Sequence, residues 1–506
     1  MEQLKELVYI LSLNKTKKIR QYGFLQDETG RLLEFYQGLV DEAWETDEAA
    51  AKAILNLDPK HKTYRRLKNN LKEELLNAFF FLDFKNSSHS DIQEAHHNCY
   101  KTWAQISRLS SLAAKKTSTY LSKQILKKAI EYDLTFIIIE SSRQLRRINA
   151  VYVGSEKEHA YYSNIIEKYS KILLLEIQAE SIYTSLIRHY AKSKATQNHL
   201  FDIYKKDYED IIQHLGKVDS FIFNSFGYMI GVTLYMSVND FKSTNEICQA
   251  GITYFENKPY NHKAAQLAFL YQSVICSMQL GNYEEGKTAI EKCYSLAKVG
   301  KHDWFRTLEN HLLLCLYTSE HNKAWELFHT AEKSRGFKHL LPAIKDRWIL
   351  HEAYIYFLVE IGVTGDEVKS DKKFKVRKFL NSVSPAYSQD KRGLNIPILI
   401  IQVFFLWNRA KFDDAYQRIE ALSKYNSRHL KKEDDTYRTA LFIKMLEVSA
   451  KYGFQPEDTK KHTADYFKLL NEAEIVFANQ SAEIEYIPYH ILWKYGIEIL
   501  DQVHSN

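Results

Sequence analysis

LGNYEEGKTAIEKCYSL (Leu280–Leu296), SEHNKAWELFHTAEKS (Ser319–Ser334) and RAKFDDAYQRIEALSK (Arg409–Lys424) are three versions of one pattern. Each passes a short polar turn and then starts a stretch whose apolar residues recur after three and four positions, the period of a helix. VNDFKSTNEICQAGITYF (Val238–Phe255) carries a weaker version. The residue that sets the register is Phe241, Tyr283, His321 and Phe412 in turn, at intervals of 42, 38 and 91 residues. The last interval holds two units of roughly 45 residues if a divergent pair, Asp346–Ile361 with Lys372–Val383, lies between.

Within the second helix of each unit a small, a large and a small residue follow at steps of four and three: Gly286, Ile290 and Cys293; Ala324, Phe328 and Ala331; and, with a larger last member, Ala415, Ile419 and Leu422. Small residues let neighbouring helices approach, and the large one fills the space between them. These residues resemble the tetratricopeptide repeat, although the units exceed that family's length of about 34 residues and their first helices lack its tryptophan and Leu-Gly pair. The resemblance implies an all-α protein: an α-solenoid of antiparallel helix pairs, wound as a right-handed superhelix, in which no single pair buries its own apolar face and neighbours must stack. It covers roughly residues 218–430. The expected division is an irregular all-helical N-terminal region, residues 1–200, followed by the repeat array, residues 201–506.

The composition agrees with helices. Only 17 Gly and 7 Pro occur in 506 residues, which leaves few of the residues that build tight turns and strand ends. With 45% hydrophobic and 26% charged residues the chain has the makings of a core. Five cysteines without Cys-x-x-Cys spacing, mostly in apolar helical patterns, read as reduced thiols of a cytoplasmic protein. The first residues, MEQLKELVYILSLNKTKK, lack the basic start and long apolar centre of a signal peptide. The most apolar run, Ile396–Trp407, is too short to span a bilayer.

The usual catalytic signatures are missing: no phosphate-binding Gly-rich loop, no Gly-x-Ser-x-Gly elbow and no His-Glu-x-x-His helix occur. The expectation is a protein that is not an enzyme and needs no cofactor or metal. His96 and Cys99, one helical turn apart, fall short of the four ligands of a structural zinc site. By position, the resemblance assigns a partner-binding groove to first-helix residues Thr233, Tyr271, Met278, Arg306, Glu309, Phe404 and Trp407. The apolar ones fit a core equally well, and Arg306 and Glu309, three residues apart, also fit a solvated ion pair. Basic residues Lys372, Lys373, Lys375, Arg377 and Lys378 crowd a second expected helix, with smaller clusters at Lys15–Arg20 and Arg143–Arg147. A net charge of +6 permits contact with phosphates but is small for this length. The function expected from these features is a scaffold or adaptor that holds a peptide or partner protein in the groove. The alternative is a signal-responsive regulator whose basic helices bind nucleic acid or another effector.

Overall fold

The structure, a computed structural model, describes residues 1–13, 30–80, 91–192, 197–260, 262–364, 376, 379, 395–429, 437–473 and 485–505. The described residues form 21 α-helices and no strand. They fall into two compact units, Met1–Ile166 and Glu167–Asn506. The sequence suggests a boundary near residue 200, where the repeats become visible, whereas the compact division lies inside a long helix.

The first unit contains α1 (Glu2–Leu13), α2 (Arg31–Val40), α3 (Asp47–Leu55), α4 (Lys62–Phe79), α5 (Asp91–Ser111), α6 (Lys115–Glu131) and α7 (Thr135–Ile148), followed by a π-turn, Asn149–Val153, and the start of α8 (Glu156–Lys192). Leu4, Val8, Phe35, Tyr64, Leu71 and Leu75 close a core among α1 to α4. Asp47 anchors its edge, accepting hydrogen bonds from the Tyr64 hydroxyl at 2.7 Å and Lys68 Nζ at 2.8 Å. Partial burial raises the pKa of this carboxyl, but the bonds from Lys68 and Tyr64 outweigh it and hold the value down to about 2.

The second unit continues with α9 (Gln197–Ile212), α10 (Phe221–Ser237), α11 (Phe241–Glu256), α12 (Lys263–Gln279), α13 (Tyr283–Leu296), α14 (His302–Tyr317), α15 (His321–Lys333), α16 (Pro342–Glu360), α17 (Asn395–Trp407), α18 (Phe412–His429), α19 (Tyr437–Lys451), α20 (Pro456–Glu472) and α21 (Tyr489–Ser505). Consecutive helices pack on one another from α9 to α16 and from α17 to α21, and α16 packs on α17. The register residues of the sequence pattern, Phe241, Tyr283, His321 and Phe412, are the first residues of α11, α13, α15 and α18.

One turn builds these pairs. Asn239, Gly281, Ser319 and Ala410 each take a positive φ, between 52° and 71°. The next backbone N–H then bonds the carbonyl five residues back, as in Asn282 N to Ser277 O at 2.8 Å and Glu320 N to Cys315 O at 2.8 Å. This arrangement satisfies carbonyls that the helix end leaves open and reverses the chain. The small-large-small residues behind it, Gly286, Ile290, Cys293, Ala324, Phe328, Ala331, Ala415, Ile419 and Leu422, are all buried.

The last described segment departs from neighbour-on-neighbour stacking. Glu485, Tyr486 and Ile487 run as a buried non-helical strip into α21, and this return segment reaches helices far back in the chain. Tyr486 stacks on Tyr354 of α16 with ring centres 4.9 Å apart, Tyr489 stacks on Phe442 of α19 at 4.2 Å, and the Tyr495 hydroxyl lies 3.0 Å from His321 Nε2 at the start of α15. Glu485 is held by the Nε–Nη2 edge of the Arg438 guanidinium, at 2.7 and 3.1 Å, and accepts from the Tyr489 backbone N–H at 2.9 Å. The remaining Arg438 nitrogen donates to the carbonyls of Leu470 and Ala473. A buried ion pair with every guanidinium nitrogen engaged is one whose desolvation is well compensated.

Candidate functional site

The first helices of successive pairs, α10, α12 and α14, carry residues that the resemblance assigned to a groove. Between α10 and α12 lies an apolar trough of about 250 Å³, walled by Ile222, Phe226 and Met229 on one side and Ala265, Ala268 and Phe269 on the other. It forms because the wall from α12 carries alanines where neighbouring positions carry bulkier groups, so the two helices leave a furrow. Ile222 is 39% exposed on its rim. Ser225 also lines the trough, its hydroxyl buried and without a hydrogen-bond partner.

Next along, Tyr271 of α12 is held by α14. Its hydroxyl donates to the Asp303 carbonyl at 2.9 Å and lies 3.2 Å from Thr307 Oγ1. Burial raises its pKa, so the phenol stays neutral. The Arg306 guanidinium covers its ring at 4.5 Å from the centroid, and Arg306 is exposed. A planar cation stacked on a fixed aromatic ring keeps its hydrogen-bonding edge free and pre-oriented, the arrangement arginine uses to receive a carboxylate. One turn on, Glu309 takes the Nε and Nη2 of Arg347 at 2.7 and 3.1 Å, with His351 Nε2 at 3.2 Å. Burial raises this carboxyl's pKa, and the bonds from His351 and Arg347 more than reverse that, to about 2. Glu309 is therefore a charged clamp between α14 and α16 rather than an open ligand.

The residues that the resemblance assigned to a groove thus separate. Arg306 is exposed. Thr233, Tyr271 and Met278 are buried, the Thr233 hydroxyl donating to the Met229 carbonyl at 2.8 Å. Phe404 and Trp407 are 0% exposed, beneath the return segment. Trp493 meets Trp407 with ring centres 6.2 Å apart, and Gly496 lies against both Phe404 and Trp407. Lys372, Lys373, Lys375, Arg377 and Lys378 lie outside the described residues, as do Lys15–Arg20. In the third basic cluster Arg143 pairs with Glu140 at 2.5 Å, and Arg147 donates to Gln144 at 2.9 Å.

Sequence reasoning missed the trough itself. Its signal was present as Ile222, Ser225 and Met229, with Ala265 and Ala268, at three- and four-residue steps on adjacent first helices. His96 stacks near Tyr100, with ring centres 4.4 Å apart, while burial pushes the Cys99 thiol up to about 11. Among the described residues no group of three or more His, Cys, Asp or Glu side chains is placed to hold a metal ion. Nor is any described helix long and apolar enough to cross a membrane. All five cysteines are buried free thiols.

What these observations define is an all-α chain whose successive helices pack in neighbouring pairs, an arrangement compatible with a helical repeat. No protein-family model, no curated protein and no solved structure matches the chain.

Proposed function

We propose that this chain is a non-catalytic, tetratricopeptide-like scaffold that binds a partner protein along the first helices α10, α12 and α14. The observation that carries this reading is the open apolar trough between α10 and α12, close in sequence and fold to the outward-facing Arg306 on its Tyr271 platform. An apolar furrow with an oriented cation nearby suits a partner segment that inserts one or two apolar side chains and offers a carboxylate. A solenoid of right-handed helix pairs would place these features on one face, and the repeated turns at Asn239, Gly281, Ser319 and Ala410 support that geometry.

The return segment defines where such a groove ends. It buries Tyr486, Ile487, Tyr489, Leu492, Trp493, Ile499 and Leu500. Its release would return all seven apolar side chains to water. Phe404 and Trp407 lie beneath it as core residues, so the reading assigns binding to the α10–α14 side.

The test is quantitative co-purification from the native host at low and moderate salt, comparing the unaltered protein with Met229→Glu, Ala268→Glu and Arg306→Ala. A stoichiometric partner retained at moderate salt, and reduced at least about tenfold by either glutamate, supports the reading. A set of co-purifying proteins indifferent to all three substitutions, or no stoichiometric partner, overturns it.

A further inference from the structure

Leu112, Val151, Tyr152 and Val153 are between 58% and 70% exposed, and all four stand at one end of the first unit. The Gln144 amide of α7 donates to Ser110 Oγ of α5 at 2.9 Å, and upstream Tyr100 of α5 stacks on Phe136 of α7 with ring centres 6.1 Å apart. The two helices therefore run the same way and finish together. Leu112 follows α5 in the turn to α6, and Val151–Val153 follow α7 in the π-turn. Lys115, the first residue of α6, sets its ammonium over the Tyr152 ring, 3.7 Å from the centroid, and so ties the two turns to each other.

The exposure is built in. Asn149 is buried at the base of the π-turn, where its carbonyl accepts from the Gly154 N–H at 2.8 Å and its side-chain amide donates to Glu158 Oε2 at 3.0 Å. Gly154, with φ at 70°, closes the turn. Between these pins three consecutive apolar residues are held outward, where single exposed ones would be ordinary, and such a group marks a contact surface. The charge around it is one-sided. From residue 95 to residue 130 the chain carries seven basic side chains and no acidic one, and Lys115 and Lys116 are exposed at the tip end of α6. Asp91 and Glu94 begin α5, Glu131 ends α6 and Asp133 precedes α7, which puts these four carboxylates at the opposite end. The acidic residues that follow the π-turn are Glu156, exposed, and Glu158, which also faces Lys123 at 3.6 Å.

We propose that this tip docks the first unit on an anionic membrane surface, with Leu112, Val151 and Val153 entering the boundary between headgroups and acyl chains and Lys115 and Lys116 meeting the lipid phosphates. Aliphatic side chains that project outward find an apolar medium in a bilayer and offer a nucleobase no platform for stacking. A tyrosine beside them suits the headgroup level, where its ring and hydroxyl face different surroundings. Cations next to the inserted groups add attraction to an anionic leaflet, and carboxylates confined to the far end leave that attraction unopposed. The contact is peripheral and needs no helix to cross the bilayer. It belongs to the first unit and is independent of the α10–α12 trough, so either can fail without the other.

The experiment is co-sedimentation of the full chain with vesicles of phosphatidylcholine containing about one third phosphatidylglycerol, at low and moderate salt. The unaltered chain is expected to bind these vesicles, more weakly as salt rises, and to bind pure phosphatidylcholine less. Val151→Glu with Val153→Glu lowers the partition at least about tenfold, and Lys116→Gln lowers it about fivefold. Tyr152→Trp supplies a reporter of depth: its added emission is quenched by phospholipids brominated on their acyl chains. All these positions are exposed, so an unchanged melting temperature is the control for folding. Failure to sediment with the anionic vesicles at low salt overturns the proposal, as does undiminished binding by the double glutamate variant or an added tryptophan that the brominated lipids do not quench. A protein partner released by the same glutamates from a chain that ignores vesicles, or a single-stranded oligonucleotide bound through Lys115 and Lys116 by such a chain, overturns it as well.

Discussion

His262 is 2% exposed in a ring of aromatic side chains: Phe221 stacks on it with ring centres 4.3 Å apart, and Tyr260 and Phe255 meet it edge-on at 4.2 and 5.6 Å. Neither ring nitrogen has a hydrogen-bond partner. Burial, and to a lesser degree the Lys258 ammonium, lowers its pKa from the usual 6.5 to about 4. A histidine with a depressed folded pKa contributes stability that is fully present above 6.5 and is lost as the pH falls from there toward 4, because the unfolded chain takes up the proton first. The loss approaches roughly 3 kcal/mol at about 1.4 kcal/mol per pH unit. Thermal melts from pH 7 to 4.5 are expected to decline more steeply for the unaltered chain than for His262→Leu, and parallel curves would show that the imidazole is not the titrating group. At this scale the sequence was partly legible. Gly281 announced its turn, but Ser319 and Ala410 adopt the same left-handed backbone with side chains that disfavour it, so only the following residues, His321 and Phe412, betrayed those turns.

At the scale of single elements, α21 shows how a helix is admitted to a closed seam. A Cβ placed on Gly496 would lie 2.7 Å from Phe404 Cε1 and 3.0 Å from Trp407 Cζ3, and both rings are fully buried. The rings have no free space into which to move, so Gly496→Ala forces α21 away from α17. The better helix propensity of alanine, worth about 1 kcal/mol, is outweighed by overpacking of about 1–3 kcal/mol and by the apolar surface that opens to water when the helices part. The expected outcome is a lower denaturation midpoint with the slope unchanged. An unchanged or raised midpoint would mean that the seam between α17 and α21 is looser than its geometry indicates. Most helices were readable because their apolar residues recur with the helical period. The faces they present were less so: Tyr271 and Met278 share the spacing of a groove stripe, yet they point into neighbouring helices, while Ala268 and Ala265, roughly 60–140° around the same helix, line the trough. Steps of threes and fours lead from one of these faces to the other, so the pattern alone does not say which side is open.

For the second unit as a whole, stability is not a simple sum over neighbouring pairs. In a linear repeat array each unit touches only the next, and opening proceeds from the ends. Here the return segment ties α15 to α16, α17 and α19 through His321, Tyr354, Phe404 and Phe442. Native-state hydrogen exchange under rising denaturant is therefore expected to show α15, α16, α17 and α21 opening together, and Gly496→Ala should lower their common opening energy while leaving α10 to α12 unaffected. Exchange of α21 ahead of the others would show that it is a dispensable appendage. The neighbour pairing was readable from the recurring turns. The tie between His321 and Tyr495 was not, because 174 residues separate them and no periodic pattern links two positions that meet once.

That separation has a consequence during synthesis. At about 5–20 residues per second, roughly ten to thirty seconds pass between the appearance of His321 and that of Tyr495. Tyr354 follows His321 early in that interval, Phe404 and Trp407 near its middle and Phe442 in its last third, each ahead of the residues that cover it, and Arg438 waits for Glu485. The nascent chain carries an oily, half-finished surface whose completion depends on a late arrival, and a chaperone that shields aromatic side chains over tens of seconds would have its natural substrate there.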